Sequence, residues 1–305
     1  MAYITLKIDV DTYRGTREGV PNLVKLLSKH RAGATFLFSL GPDHTGWALK
    51  RVFRPGFFSK VSRTSVVEHY GLKTLMYGVL LPGPDIGKTC KNELRATQDA
   101  GFECGIHTWD HVLWHDEVRH KTADWTRWQM QKSHDRFTEV FGSAPLTHGA
   151  AGWQMNDAAF EQLDDWQMAY ASDGRILLRG QSMGQPHHLQ INGKTLRHVQ
   201  MPTTLPTLDE LIGVDNITID NVADHLLSLT QDTQKNQVYT LHAELEGQKL
   251  AHIFDKLLQG WRAQGHQLVS MGQYYQTLDL SRLPVMSYTW DAIPGRSGEL
   301  IVQQA

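Results

Sequence analysis

The chain has 305 residues, 41% of them hydrophobic, which is ample for a large buried core. A formal net charge of −2 gives no whole-protein attraction to nucleic acid, and the two cysteines, Cys90 and Cys104, form neither a disulfide framework nor a C-x-x-C motif. No apolar run approaches the roughly 20 residues of a spanning helix, and the first residues lack the pattern of a secretory leader, so a cytoplasmic protein, soluble or peripheral on a membrane, is expected.

Taken in order, Tyr3–Asp11 reads as a buried strand ending in two carboxylates, Asp9 and Asp11, spaced i, i+2 on one face. Buried carboxylates are costly without a cation, so a positive partner is expected beside them. Asn22–His30 reads as an amphipathic helix and Ala34–Leu40 as a second buried strand, which makes a βαβ unit and implies a parallel sheet. The alternation continues. Helices are expected over Asp85–Ala100, Trp125–Phe141, Asn156–Trp166, Val222–Leu229 and Ala251–Gly265. Strands are expected over Phe102–Ile106, Met168–Asp173, Gln237–His242 and Gln267–Ser270. About seven strand–helix alternations predict an α/β fold, a deformed (β/α)7-type barrel forming one domain over residues 1–305. Pro284–Ala305 has a β-like pattern with no function attached to it.

One insertion, Gly41–Pro84, interrupts the alternation. Trp47–Arg63 within it carries five basic residues and four aromatics with no acid, and Leu75–Pro82 is apolar. Cations for anionic headgroups and rings for the acyl boundary suit an anionic membrane surface, with Trp47, Phe53, Phe57, Phe58, Lys60 and Arg63 as contacts. The alternative is a lid that packs its aromatics on the barrel and leaves its charges in water.

The stretch Gly105-Ile106-His107-Thr108-Trp109-Asp110-His111 places two imidazoles four residues apart at a strand's end. On one helical turn both rings meet one divalent ion, but two imidazoles are half a site, and the oxygen donor is expected from Asp9-Val10-Asp11.

Residues Ile8–Pro21, followed in order by Gly105–His111, Ala150–Trp153, Ser172–Arg175, Pro202–Thr207 and His242–Gly247, resemble the NodB-like polysaccharide deacetylase family. More closely they resemble its deformylases of an undecaprenyl-phosphate-linked formamido sugar. The resemblance implies Asp9 as general base, Asp11, His107 and His111 as metal ligands, and His242 as general acid held by Asp173. It implies hydrolysis of the N-formyl group of undecaprenyl-phosphate 4-deoxy-4-formamido-L-arabinose to the amino-sugar lipid and formate, in lipid A modification and polymyxin resistance. Two His and one Asp with an open position suit Zn2+, and Mn2+, Co2+ or Ni2+ would also be held. Many family members carry an Arg-x-Pro-Tyr motif whose arginine tunes the base. His148–Trp153 has no arginine, and Arg175 is expected to replace it by pairing with Asp9.

Arg14 and Arg17 are candidates for the carrier phosphate, or else pair with Glu18 or a neighbour. Backbone N–H groups near Gly152 and Trp153 would serve a developing oxyanion. Trp109 and Trp153 either wall the sugar or pack beneath the barrel rim, and Glu244 and Glu246 either contact the substrate amine or cap a turn. His115 and His120 are assigned to surface or packing, and His187-His188 to a solvated loop. Two other functions remain open: a deacetylase of another N-acylated sugar, and a non-catalytic barrel that binds a lipid carrier.

Overall fold

Strand β1 (Tyr3–Val10) sets the architecture. Because side chains alternate across a strand, Ile4, Leu6, Ile8 and Val10 join the main apolar cluster, while Thr5, Lys7 and Asp9 face the other way. Those polar side chains are buried too, so this sheet is apolar on its helix-facing side and polar on the opposite side. The computed structural model describes residues 2–48, 71–176 and 184–304.

The remaining strands are β2 (Thr35–Ser39), β3 (Glu103–Thr108), β4 (Thr147–His148), β5 (Tyr170–Ala171), β6 (His187–Ile191), β7 (Lys194–Gln200), β8 (Gln237–His242), β9 (Gln267–Val269), β10 (Val285–Ala292) and β11 (Glu299–Gln304). They form one sheet in the order β11-β10-β6-β7-β5-β4-β3-β2-β1-β8, with β9 pairing the start of β1. From β7 through β5, β4, β3, β2 and β1 to β8, every neighbouring pair is parallel. The α/β class is as expected, but the sheet is not closed. Where β8 approaches the segment after β7, separate hydrogen bonds stand in for a ladder: Thr204 N to Val238 O at 3.0 Å and the Thr203 and Thr240 hydroxyls at 2.7 Å.

The helices are local consequences of sequence. α1 (Val20–Lys29) starts with Pro21 in its first turn and buries Val20, Leu23 and Leu27. The expected Asp85–Ala100 helix is broken at Cys90 into a single turn, Ile86–Thr89, and α2 (Lys91–Asp99). α3 (His111–Glu117) is capped by Asp110, whose Oδ1 accepts from Leu113 N at 3.1 Å. α4 (Ala123–Phe141) is capped by Thr122 and stopped by Gly142 at φ 76°. α5 (Asp157–Asp165), α6 (Val222–Ser228) and α7 (Ala251–Ala263) fall close to their expected bounds. Among the described residues, no helix is long and apolar enough to cross a membrane.

Two expectations change. His187 lies in β6 and is 4% exposed, not in a solvated loop, because β6 and β7 form an antiparallel hairpin that covers it. The β-like C-terminal segment is a second hairpin, β10–β11, which extends the sheet and packs Ile293, Leu300 and Val302 on Trp153. Of the proposed membrane contacts, Phe53, Phe57, Phe58, Lys60 and Arg63 lie outside the described residues. The Trp47 indole donates to Gly78 O at 2.7 Å and stacks on His44 with ring centroids 3.9 Å apart.

Candidate metal centre and active site

Parallel strands bring their C-terminal ends to one edge, and Asp11, His107 and His111 meet there. Asp11 Oδ1 lies 3.2 Å from His107 Nε2, and Asp11 Oδ2 lies 3.5 Å from His111 Nε2. The three donor atoms lie within 4.8 Å of one another, and this is the one such cluster of three or more potential ligands among the described residues. The two histidines do not share a helical turn. His107 is the penultimate residue of β3 and His111 opens α3, and the turn between them stacks the rings at 5.4 Å.

His107 Nδ1 donates to Gly149 O at 2.6 Å, which leaves Nε2 as the lone-pair nitrogen facing Asp11. Asp11 Oδ1 and His107 Nε2 are both buried with no hydrogen-bond partner. Buried polar atoms are rarely left unsatisfied, and a divalent cation would satisfy both at once. Burial opposes ionisation of Asp11, yet His111 and His107 outweigh it and hold the carboxyl far below its usual range. Burial likewise opposes the charged form of His107, but Asp9 and Asp11 prevail and raise its pKa.

Asp9 is 3% exposed and sits beside this cluster. Its cationic partner is Lys7, not Arg175: Lys7 Nζ lies 3.2 Å from Asp9 Oδ2, and both side chains are enclosed. Arg175 grips Glu210 as a fork, with Nη1–Oε1 at 2.5 Å and Nη2–Oε2 at 3.0 Å, and donates to Leu205 O. A planar fork prefers a matching carboxylate, and Glu210 sits opposite it. Lys7 was legible in the sequence, since two residues along a strand place it on the same face as Asp9.

His242 ends β8 directly beside Asp9, the two being Cα partners in the ladder. Asp173 does not hold it. The Asp173 carboxylate accepts from His148 Nδ1 at 2.6 Å and from Gln200 Nε2 at 2.8 Å, bonds made along β4, β5 and β7. Burial opposes its charge, but His148 outweighs that and lowers its pKa. The carboxylate bonded to the His242 backbone is Glu246, whose Oε2 accepts the His242 N–H at 3.0 Å while Oε1 accepts the Tyr239 hydroxyl at 3.0 Å. Burial raises the Glu246 pKa to about 7. His148 carried no signal in spacing alone, whereas Glu246 was open to reading as a turn cap, and in the structure it binds the backbone of the turn after β8.

The substrate-side expectations fare unevenly. Arg14 pairs with Glu18 at 2.9 Å and Arg17 with Glu93 at 2.6 Å, the ion-pair alternative left open by the sequence. Trp153 is 1% exposed and cannot wall an open sugar site; its ring lies under Lys7, Arg175 and Arg296. Its N–H is taken by Ala150 O at 3.1 Å, so it offers no oxyanion donor. Gly152, at φ 62°, packs against the His115 ring. Trp109 is half-buried, lies on Gly41 and stacks with Lys132 and Arg136 of α4. Glu244 accepts from Asp11 N and from Thr12, which makes it a brace of the turn. Burial, reinforced by Asp11, raises its pKa well above the usual range.

Residues 3–171 match the family model for polysaccharide deacetylase. The chain is 37% identical over 255 residues to the probable 4-deoxy-4-formamido-L-arabinose-phosphoundecaprenol deformylase ArnD of Shewanella sediminis (strain HAW-EB3), covering 84% of this chain and 80% of that one. It is 30% identical to the protein of the same name from Wigglesworthia glossinidia brevipalpis, over 95% of this chain and 98% of that one. A crystal structure of a putative polysaccharide deacetylase from Mycobacterium smegmatis matches with a TM-score of 0.60 at 14% identity, over 95% of this chain and 96% of that one, a likeness of fold.

Two predictions follow from the buried charges. Lys7→Met strands Asp9 without its cation and should lower unfolding free energy by about 3–5 kcal/mol in urea titration, with Lys7→Met/Asp9→Asn recovering most of it. An unchanged urea midpoint in the single variant would rule the pair out. For Glu246, the folded pKa lies above the unfolded one, so the native state holds a proton that the unfolded state loses. Its contribution is therefore full below about pH 4.5 and lost as pH rises through about 7, by up to about 3 kcal/mol. The stability difference between wild type and Glu246→Gln should change by that amount between pH 4.5 and 8; a pH-independent difference contradicts it.

Proposed function

The chain belongs to the polysaccharide deacetylase family, and from that membership we propose that it is a metal-dependent deformylase of undecaprenyl-phosphate 4-deoxy-4-formamido-L-arabinose. The reaction would release formate and the free 4-amino sugar lipid, in the service of lipid A modification and polymyxin resistance. The observation that carries this reading is the convergence of Asp9, Asp11, His107, His111 and His242 at adjoining strand ends. A binding-only barrel needs neither a base nor an acid. The named relatives, both probable formamido-sugar deformylases, favour this substrate over other N-acylated sugars.

Asp11, His107 and His111 would hold the ion, and Zn2+ is the first choice for this donor set, with Mn2+, Co2+ and Ni2+ as alternatives. When bound, the ion supplies Lewis-acid polarisation of the formyl carbonyl and acidifies water. Asp9 takes a proton from the attacking water, and Lys7 keeps that carboxylate fixed and its charge balanced. His242, on the neighbouring strand, gives a proton to the departing nitrogen. The C–N bond then breaks to a neutral amine and formate.

The substrate's carrier is a polyprenyl phosphate, so the protein would work peripherally at the cytoplasmic face of the inner membrane. Supporting this, Val79 and Leu80 at the end of the insertion are 54% and 75% exposed, and the same insertion carries the basic and aromatic run of residues 47–63 in its sequence. Both are apolar side chains that a lipid surface would cover.

Formate release from the lipid-linked substrate tests the reaction. Chelator should abolish it and zinc restore it, while Asp9→Asn and His242→Ala should each lower turnover at least about 100-fold. No formate from zinc-loaded protein discards the deformylase reading and directs the search to N-acetyl substrates. For the membrane, Val79→Asp/Leu80→Asp should reduce co-sedimentation with anionic vesicles; equal binding by the variant removes these residues from the interface.

A further inference from the structure

We propose that Glu244 is the positioning residue of the metal centre, fixing the backbone from which Asp11 reaches His107 and His111. This rests on the reading of those three residues as metal ligands. The need for such a residue follows from the strand's length. β1 ends at Val10, where its ladder with β2 also ends, and its ladder with β8 ends one residue earlier at Asp9. Asp11 therefore lies beyond the hydrogen bonds that fix the strand, although its carboxylate must meet two imidazoles from β3 and α3.

Glu244 supplies what the ladder does not. Its Oε1 accepts the Asp11 N–H at 3.1 Å, the Thr12 N–H at 2.8 Å and the Thr12 hydroxyl at 2.8 Å. The Thr12 hydroxyl in turn accepts the Gly15 N–H at 2.9 Å, so one carboxylate oxygen orders the whole turn that follows β1. Gly15 has no side chain for a reason: a Cβ there would occupy the position of Glu244 Oε1. Glu244 is 2% exposed and lies outside the three-residue ligand cluster, so it neither faces open solvent nor joins the ligands. Removing an acceptor leaves buried N–H groups unmatched, and partners that orient metal ligands typically matter about 10–100-fold in metal affinity.

Zinc affinity, measured on the full chain by competition with a chromophoric chelator, tests the assignment without requiring turnover. Circular dichroism of each metal-free variant reports whether it folds. Glu244→Ala should bind zinc at least about tenfold more weakly, whereas Glu244→Gln, whose amide oxygen accepts the same three bonds, should stay within about threefold of wild type. Gly15→Ala should weaken zinc like Glu244→Ala, since alanine otherwise favours a helical turn and any loss reports the displaced carboxylate. If Glu244→Ala does not fold, Thr12→Val decides: a folded protein with about threefold or greater loss supports the brace, and unchanged affinity overturns it. Wild-type affinity in folded Glu244→Ala overturns the brace, as does a loss in Glu244→Gln equal to that in Glu244→Ala. Asp11→Asn and His107→Ala serve as references. If they bind zinc normally, the metal reading fails and the brace with it; if they lose zinc while Glu244→Ala keeps it, the brace alone fails.

Discussion

Lys7 and Asp9 lie 3.2 Å apart on a strand whose other face is packed into the apolar core, and both are buried. An ion pair in that setting is costly to desolvate and more costly to break, so the rest of the site has to be compatible with it. Lys7 reaches the Asp9 carboxylate from within the same strand. Lys7 stays in place because Gly149 leaves room for its side chain and Trp153 covers it. A polar face of this kind on a core strand contributes little to stability on hydrophobic grounds. Its value lies in a pre-arranged charge distribution that needs no solvent reorganisation at the moment of reaction.

Strand order then determines which groups can cooperate. β8 and β2 flank β1, and β3 follows β2, so Asp9, His242 and His107 come from within four consecutive strands. The parallel run puts all of these residues at the same edge of the sheet. The turn after β1 carries Asp11, the start of α3 carries His111, and the turn after β8 returns Glu244 and Glu246 beneath both. Glu244 binds the turn that carries Asp11 and Glu246 binds the backbone of His242, so two carboxylates from one short segment brace the two halves of the candidate site.

That division explains what could be read in the sequence. The His-x-x-x-His pair and the Asp-x-Asp strand end point to a candidate metal centre because few structural roles need those donors together, and the helix and strand periodicity gave the α/β class. Arg175 and Asp173 were misassigned because a short motif says that a charge is present but not which carboxylate or imidazole its register brings opposite. His148 and Gln200 claim Asp173 through the β4–β5–β7 pairing, and Glu210 claims Arg175 from 35 residues further on, past the β6–β7 hairpin, a separation that no spacing rule connects. Lys7 could have been read, since strict alternation along a buried strand put it on the face of Asp9.

The C-terminal hairpin gains a place in this scheme through Trp153. Arg175 and Arg296 share the Glu210 carboxylate, and both lie over the Trp153 ring, with guanidinium carbons 4.7 Å and 4.2 Å from its centroid. The Lys7 ammonium lies 5.2 Å from the same ring. Three cations around one buried indole are tolerable only because Glu210 and Asp9 neutralise them, and burial loses to Arg175 and Arg296 in keeping the Glu210 pKa low. Arg296 lies between β10 and β11, whose Leu300 and Val302, with Ile293, pack on the indole. The hairpin therefore fixes Trp153, and Trp153 covers the lysine that balances Asp9. A segment that looks peripheral in sequence is one packed side chain removed from the proposed base.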